Sequence, residues 1–84
     1  MKGKTASGFK FDINDSVMDD YELLDDLASE DNARLPKILA KILGKDQELA
    51  LREHVRNEAG IVTVTAMTNA MQEIFAAIDA SKNS

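Results

Sequence analysis

Apolar side chains recur along the chain with two periods. Phe9, Phe11 and Ile13 alternate with Lys10 and Asp12, the period-two pattern of a half-buried strand. Ser7-Gly8 supplies turn chemistry before it, and Lys4-Thr5-Ala6 is placed to fold back as a partner strand. A lone hairpin is marginal in water, so its phenylalanines are expected to face the rest of the protein. From Val17 onward the period becomes helical. Val17, Tyr21, Leu24 and Ala28 form one stripe, widened by Leu23 and Leu27, behind the N-cap candidates Asn14, Asp15 and Ser16.

Leu35, Ile38, Leu39, Ile42 and Leu43 predict a second helix, with Pro36 in its first turn and Gly44 as its stop. Asp46 is the expected cap of a third, running through Leu49, Leu51 and Val55 to about Ala59, with Gly60 beyond it. The fourth begins at the N-cap Thr63, where Val62 and Met67 are spaced as a hydrophobic staple. Its buried stripe is Met67, Met71, Ile74, Phe75 and Ile78. The expected fold class is therefore mainly α: four short helices packed as a small bundle with a short N-terminal β-hairpin. One domain covers residues 1–84, with the hairpin over 1–14, helices over 16–80 and a frayed polar tail over 81–84. Phe9, Phe11, Tyr21, Leu24, Leu39, Val55, Ile74 and Phe75 are expected to be largely buried.

Charge adds an asymmetry that the net of −5 conceals. Residues 1–32 hold nine acids against three bases, whereas residues 33–56 hold six bases against three acids. An acidic whole argues against a nucleic-acid partner, since phosphate neutralisation supplies most of that affinity. The basic middle has no aromatic residue for base stacking. Neither a signal peptide nor an apolar run of membrane-spanning length is present, so a cytoplasmic protein without a membrane partner is expected.

The acids of the first helix, Asp19, Asp20, Glu22, Asp25 and Asp26, fall mostly opposite its stripe. Three readings of that face stand open. It pairs with the basic run Arg34, Lys37, Lys41 and Lys45 within one chain, it meets a basic surface of another chain or a second copy in a homo-oligomer, or it is simply solvated. Asp20, Glu22, Asp25 and Asp26 are thus candidate partner-binding residues. Met67 and Met71 join them, because methionine serves either as gap-filling core or as adaptable contact surface.

Signals of chemistry are absent. There is no cysteine and one histidine, His54, with no acid placed beside it by a motif. Asp12, Asn14 and Ser16 open like a calcium loop, but Val17 replaces the glycine and Leu23 the closing glutamate that such a loop needs. The glycines are scattered at turns, so no phosphate loop exists. The pairs Asp19-Asp20 and Asp25-Asp26 offer at most a weak metal site, since neighbouring positions on a helix diverge and do not converge on one ion without help from elsewhere. No enzyme activity, metal or cofactor is expected.

The order of segments carries a resemblance. Thr5-Ala6-Ser7-Gly8-Phe9 leads into Asp19-Asp20-Tyr21-Glu22-Leu23-Leu24, then a proline-started helix ending Leu43-Gly44. Leu51 to Glu58, a turn at Gly60 and a capped helix ending Ile74-Phe75 complete it. From about Thr5 to Ile78 the chain is similar to the small tail assembly chaperones of long-tailed, siphovirus-type phages and prophages of Gram-positive bacteria. It departs at Ile61 and Val62, where a basic residue would precede the valine, and Thr63 replaces serine as the cap. Ile61 places an extra apolar side chain on a turn, where it would mark a contact. The resemblance implies a protein of the host cytoplasm that binds the tape measure protein and keeps it soluble until tail-tube subunits assemble around it. It further implies absence from the mature virion, and in such families a longer frameshifted product often recruits the tube subunit. No catalytic or cofactor residue carries over. Two competing readings are a helix-turn-helix regulator built on the second and third helices, and a structural subunit retained in the particle. Asp46, Gln47 and Glu48 oppose the former, since a recognition helix needs basic and polar side chains at that end.

Overall fold

A computed structural model describes residues 1–82. Among them, strands β1 (Lys2–Lys4) and β2 (Lys10–Asp12) precede helices α1 (Tyr21–Ala28), α2 (Leu35–Leu43), α3 (Lys45–Val55) and α4 (Val64–Lys82). Short 3-10 segments at Asp15–Asp19 and Asn32–Arg34 lead into α1 and α2. The molecule is mainly helical with an N-terminal hairpin, as its periodicity predicts.

The strands pair antiparallel, with Lys2 opposite Asp12, Gly3 opposite Phe11 and Lys4 opposite Lys10. The partner strand thus lies earlier than Lys4-Thr5-Ala6, because Thr5 is needed in the turn. Its hydroxyl accepts from the Phe9 N–H at 3.1 Å and its carbonyl from the Gly8 N–H at 3.0 Å. Phe11 lies across Gly3 so closely that a Cβ there would sit 2.6 Å from the ring. Phe9, Phe11 and Ile13 all point into the core, and β1 packs against α4.

Each helix contributes one side chain to the centre: Leu23, Leu39, Leu51 and Ile74 are at most 1% exposed. Val55 and Phe75, expected to be largely buried, are half-buried at its edge. The larger correction concerns α1. Its helix starts four residues later than Val17, behind a 3-10 turn capped by Asn14, and its own cap is Asp20, which accepts from the Glu22 and Leu23 N–H groups. Leu23 and Asp26 then face inward, with Leu27 beside them, while Tyr21 and Leu24 are 82% and 62% exposed. The broad apolar stripe is thus split: Leu23 and Leu27 turn inward with Asp26, whose carboxylate meets Arg34, Lys37 and Lys41, and Tyr21 and Leu24 turn outward.

Gly44 ends α2 and opens α3 in a single residue. At φ 80 and ψ 161 its carbonyl accepts from the Glu48 N–H at 3.0 Å, so Asp46 lies in the first turn of α3 and is not its cap. α3 stops at Val55, short of Ala59. Asn57 ends it by folding the chain into a turn: its side chain accepts from the N–H groups of Ala59 and Ile61, both at 3.0 Å. Thr63 caps α4 as expected, accepting from the Ala66 N–H at 3.1 Å. The helix continues through Lys82, beyond the expected end at residue 80; the remainder of the expected tail, Asn83 and Ser84, lies outside the described residues. No helix among the described residues is long and apolar enough to cross a membrane.

Candidate polypeptide-binding surfaces

The acidic face of α1 divides into groups with different work to do. Asp26 is buried, with 3% exposure, and is held by α2 and the 3-10 segment before it. Arg34 Nη1 donates to its Oδ1 at 3.2 Å, Lys41 Nζ to its Oδ2 at 3.2 Å, and Lys37 Nζ lies 3.7 Å away. Burial alone raises such a carboxyl's pKa. The Lys41 hydrogen bond and the charges of Lys37, Lys41 and Arg34 outweigh it, so the group ionises below the ordinary aspartate value. Asp26 is therefore an internal clamp between α1 and α2 and is unavailable to a partner. Of the basic run, Arg34, Lys37 and Lys41 join it within the chain, and Lys45 makes no ion pair among the described residues.

Asp20 is occupied as the N-cap of α1. Asp25 is exposed and reaches Arg34 only at 3.9 Å, and Glu22 is exposed with no ion pair among the described residues. Successive residues on a helix turn by about 100°, so Tyr21, Leu24 and Ala28 share the outward side of α1 with Glu22 and Asp25 beside them. The result is an apolar strip with an acidic border. Periodicity gives α1 one broad apolar stripe; what it does not show is which part of that stripe turns outward.

A second surface lies between the start of α2, α3 and the start of α4. Leu35, Leu39, Val62 and Met67 line an open groove of about 380 Å³, with the Glu48–Arg52 ion pair on one wall. Val64 on its rim is 58% exposed, and Ile61, in the turn just before it, is 56% exposed. Met67 is buried in the groove floor, whereas Met71 is half-buried in a smaller cleft of about 210 Å³ beside Leu27 and Ile38. Both methionines are thus chiefly core, each with one edge on a cleft. Glu48, buried, accepts from Arg52 Nε at 2.7 Å.

Two further contacts escaped sequence reasoning because their partners lie far apart in the chain. Ser7 Oγ is 3.0 Å from His54 Nε2, and the Phe9 and His54 rings meet at 5.6 Å. A serine beside a histidine invites comparison with a nucleophile–base pair. Among the described residues no carboxylate hydrogen-bonds this imidazole, and Ser7 instead leans on Thr5 Oγ1 at 3.1 Å. The contact pins the hairpin tip to α3. Gln47 does the same for the strand, bonding to both backbone groups of Asp12. In α3 the first turn therefore presents Asp46, an engaged Gln47 and a buried Glu48, a poor surface for phosphates.

All buried side-chain polar atoms among the described residues have partners, so no orphaned group points to a missing ligand. The class defined here is a small, mainly helical domain whose uncommitted features are apolar surfaces. No family model matches the chain, and no curated protein or solved structure is significantly similar to it.

Proposed function

We propose that this protein is a phage tail assembly chaperone that binds the tape measure protein and keeps it soluble while the tail is built. The observation that carries the reading is an apolar strip left outside the core: Tyr21 and Leu24 are the most exposed large apolar side chains described, on a helix that buries Leu23 and Asp26 on its other face. Exposed apolar surface of this kind, rimmed by polar residues, marks contact with another polypeptide. The order of segments from Thr5 to Ile78, similar to that of the tail assembly chaperones, supports this client over others. A client that is a long amphipathic helix offers matching faces, in the helix-in-groove manner. An acidic module also keeps a complex charged and soluble. The tail-tube subunit is a second partner under this reading, and the protein acts in the host cytoplasm and leaves before the virion is complete.

The test is co-expression with the long helical protein encoded nearby in the same genome. The client is expected in the soluble fraction with this chain and in the pellet without it. Equal solubility in both cases refutes the proposal. Mass spectrometry of purified particles separates a departing chaperone from a retained structural subunit, which would be found in them.

A further inference from the structure

We infer that the outward face of α1, centred on Tyr21 and Leu24 and bordered by Glu22 and Asp25, docks a basic amphipathic helix of a partner chain. The inference deepens the chaperone reading by assigning the surface and the chemistry of the segment it takes. Three observations carry it. First, Tyr21 and Leu24 stand one helical turn apart, at 82% and 62% exposure, the arrangement that meets the apolar stripe of a crossing helix. Second, their bordering carboxylates remain uncommitted: Glu22 has no ion pair among the described residues and Asp25 only a 3.9 Å contact. On the same helix Asp26 is saturated by three cations and Asp20 by two backbone N–H groups, so local demand for positive charge is confined to the outer side. An apolar strip with free carboxylates along its edge is complementary to an apolar strip with lysines or arginines along its edge.

Third, the chain itself offers little of that complement. Arg52 is committed to Glu48 and Arg56 to Glu53, which are the cations beside the exposed apolar residues of the groove. Lys2, Lys4 and Lys10 are exposed on the hairpin, but the phenylalanines there are buried. On α3 Lys45, unpaired among the described residues, stands one turn before Leu49, 45% exposed, but that surface offers a single cation against two carboxylates, so a second copy is the poorer fit and a different chain the better one.

The experiment uses the full chain and two synthetic amphipathic peptides of about 18 residues, five helical turns, built from leucine and alanine with either lysine or glutamate at the polar positions. Titration calorimetry near 0.15 M salt is expected to show the lysine peptide binding at least about tenfold more tightly than the glutamate peptide. Tyr21→Ser with Leu24→Ser should weaken lysine-peptide binding by at least about tenfold, with circular dichroism unchanged, because both side chains are exposed in the free protein. Glu22→Gln with Asp25→Asn should weaken it too and flatten its salt dependence. Equal binding of the two peptides, or undiminished binding by the Tyr21/Leu24 variant, overturns the proposal. So does sedimentation showing a dimer of the chain alone that this variant dissolves, which would assign the face to a second copy. The chaperone reading fails separately. If wild type and the Tyr21/Leu24 variant rescue client solubility equally, the chaperone stands and this surface is wrong; if neither rescues while the peptide pattern holds, the surface stands and the client is wrong.

Discussion

Gln47 holds Asp12 as a neighbouring strand would: its Oε1 accepts from the Asp12 N–H at 2.7 Å and its Nε2 donates to the Asp12 carbonyl at 2.7 Å. The same Nε2 donates to the Leu43 carbonyl at 2.6 Å, so one amide also serves the end of α2. A net hydrogen bond contributes about 0.5–1.5 kcal/mol, and Gln47→Ala removes three that are partly open to water. The expected loss in urea unfolding is about 1–3 kcal/mol. Amide exchange at Asp12 should accelerate more than exchange in α4, and unchanged protection at Asp12 would show that the strand needs no such support.

Asp26→Asn keeps the shape and removes the charge, leaving Arg34, Lys37 and Lys41 facing one another. Breaking a buried ionic cluster from one side is strongly destabilising, so thermal melting should fall by roughly 10 °C or more at neutral pH. The pH dependence follows from the lowered pKa of the folded carboxyl. Its stabilisation is complete above the unfolded value, near 3.8, and is lost as pH falls through the lower folded value. The difference between wild type and variant should therefore be constant from pH 7 to about 5 and shrink below about 4. A gap that persists unchanged at pH 2 would contradict the clamp.

Leu39→Ala and Leu24→Ala are the same chemical change at opposite exposures, 0% and 62%. The first should cost about 2–5 kcal/mol, and the second no more than about half a kcal/mol. A comparable cost at both sites would mean that α1 is turned by half a revolution from the orientation described.

Gly3→Ala and Gly44→Ala should both destabilise, for different reasons. At Gly3 the added methyl meets the Phe11 ring at 2.6 Å; at Gly44 it meets nothing within 4 Å, but φ is +80 with an extended ψ. That region is almost confined to glycine and costs other residues about 1–3 kcal/mol. Phe11→Leu should relieve part of the Gly3→Ala penalty and none of the Gly44→Ala penalty, which a double-mutant cycle would resolve.

The fold was largely legible because its signals are local. Alternation at Phe9, Phe11 and Ile13, the stripe from Leu35 to Leu43 and the Thr63 cap each specify an element without reference to distant residues. α1 differs because its apolar stripe is broader than one face of a short helix, and the side that is buried carries Asp26, whose cations lie eight to fifteen positions away. The same distance hid part of the candidate surface. Glu22 and Asp25 fall on the acidic face of the helical pattern and are exposed, Asp26 falls with them but is internal, and Tyr21 and Leu24, expected in the core, lie outside it. Gln47 and His54 gave no warning, since their partners lie 35 and 47 residues off.

Because β1 lies against α4, the hairpin cannot gain its full cover when it is made. About sixty residues separate Lys4 from Val64, so synthesis at roughly 5–20 residues per second leaves the strands waiting several seconds. Hairpins close in microseconds, far faster than translation. The nascent chain should thus fold its middle first and latch its beginning last, and until α4 emerges the aromatic side of the hairpin is the part of this protein that would itself draw a ribosome-associated chaperone.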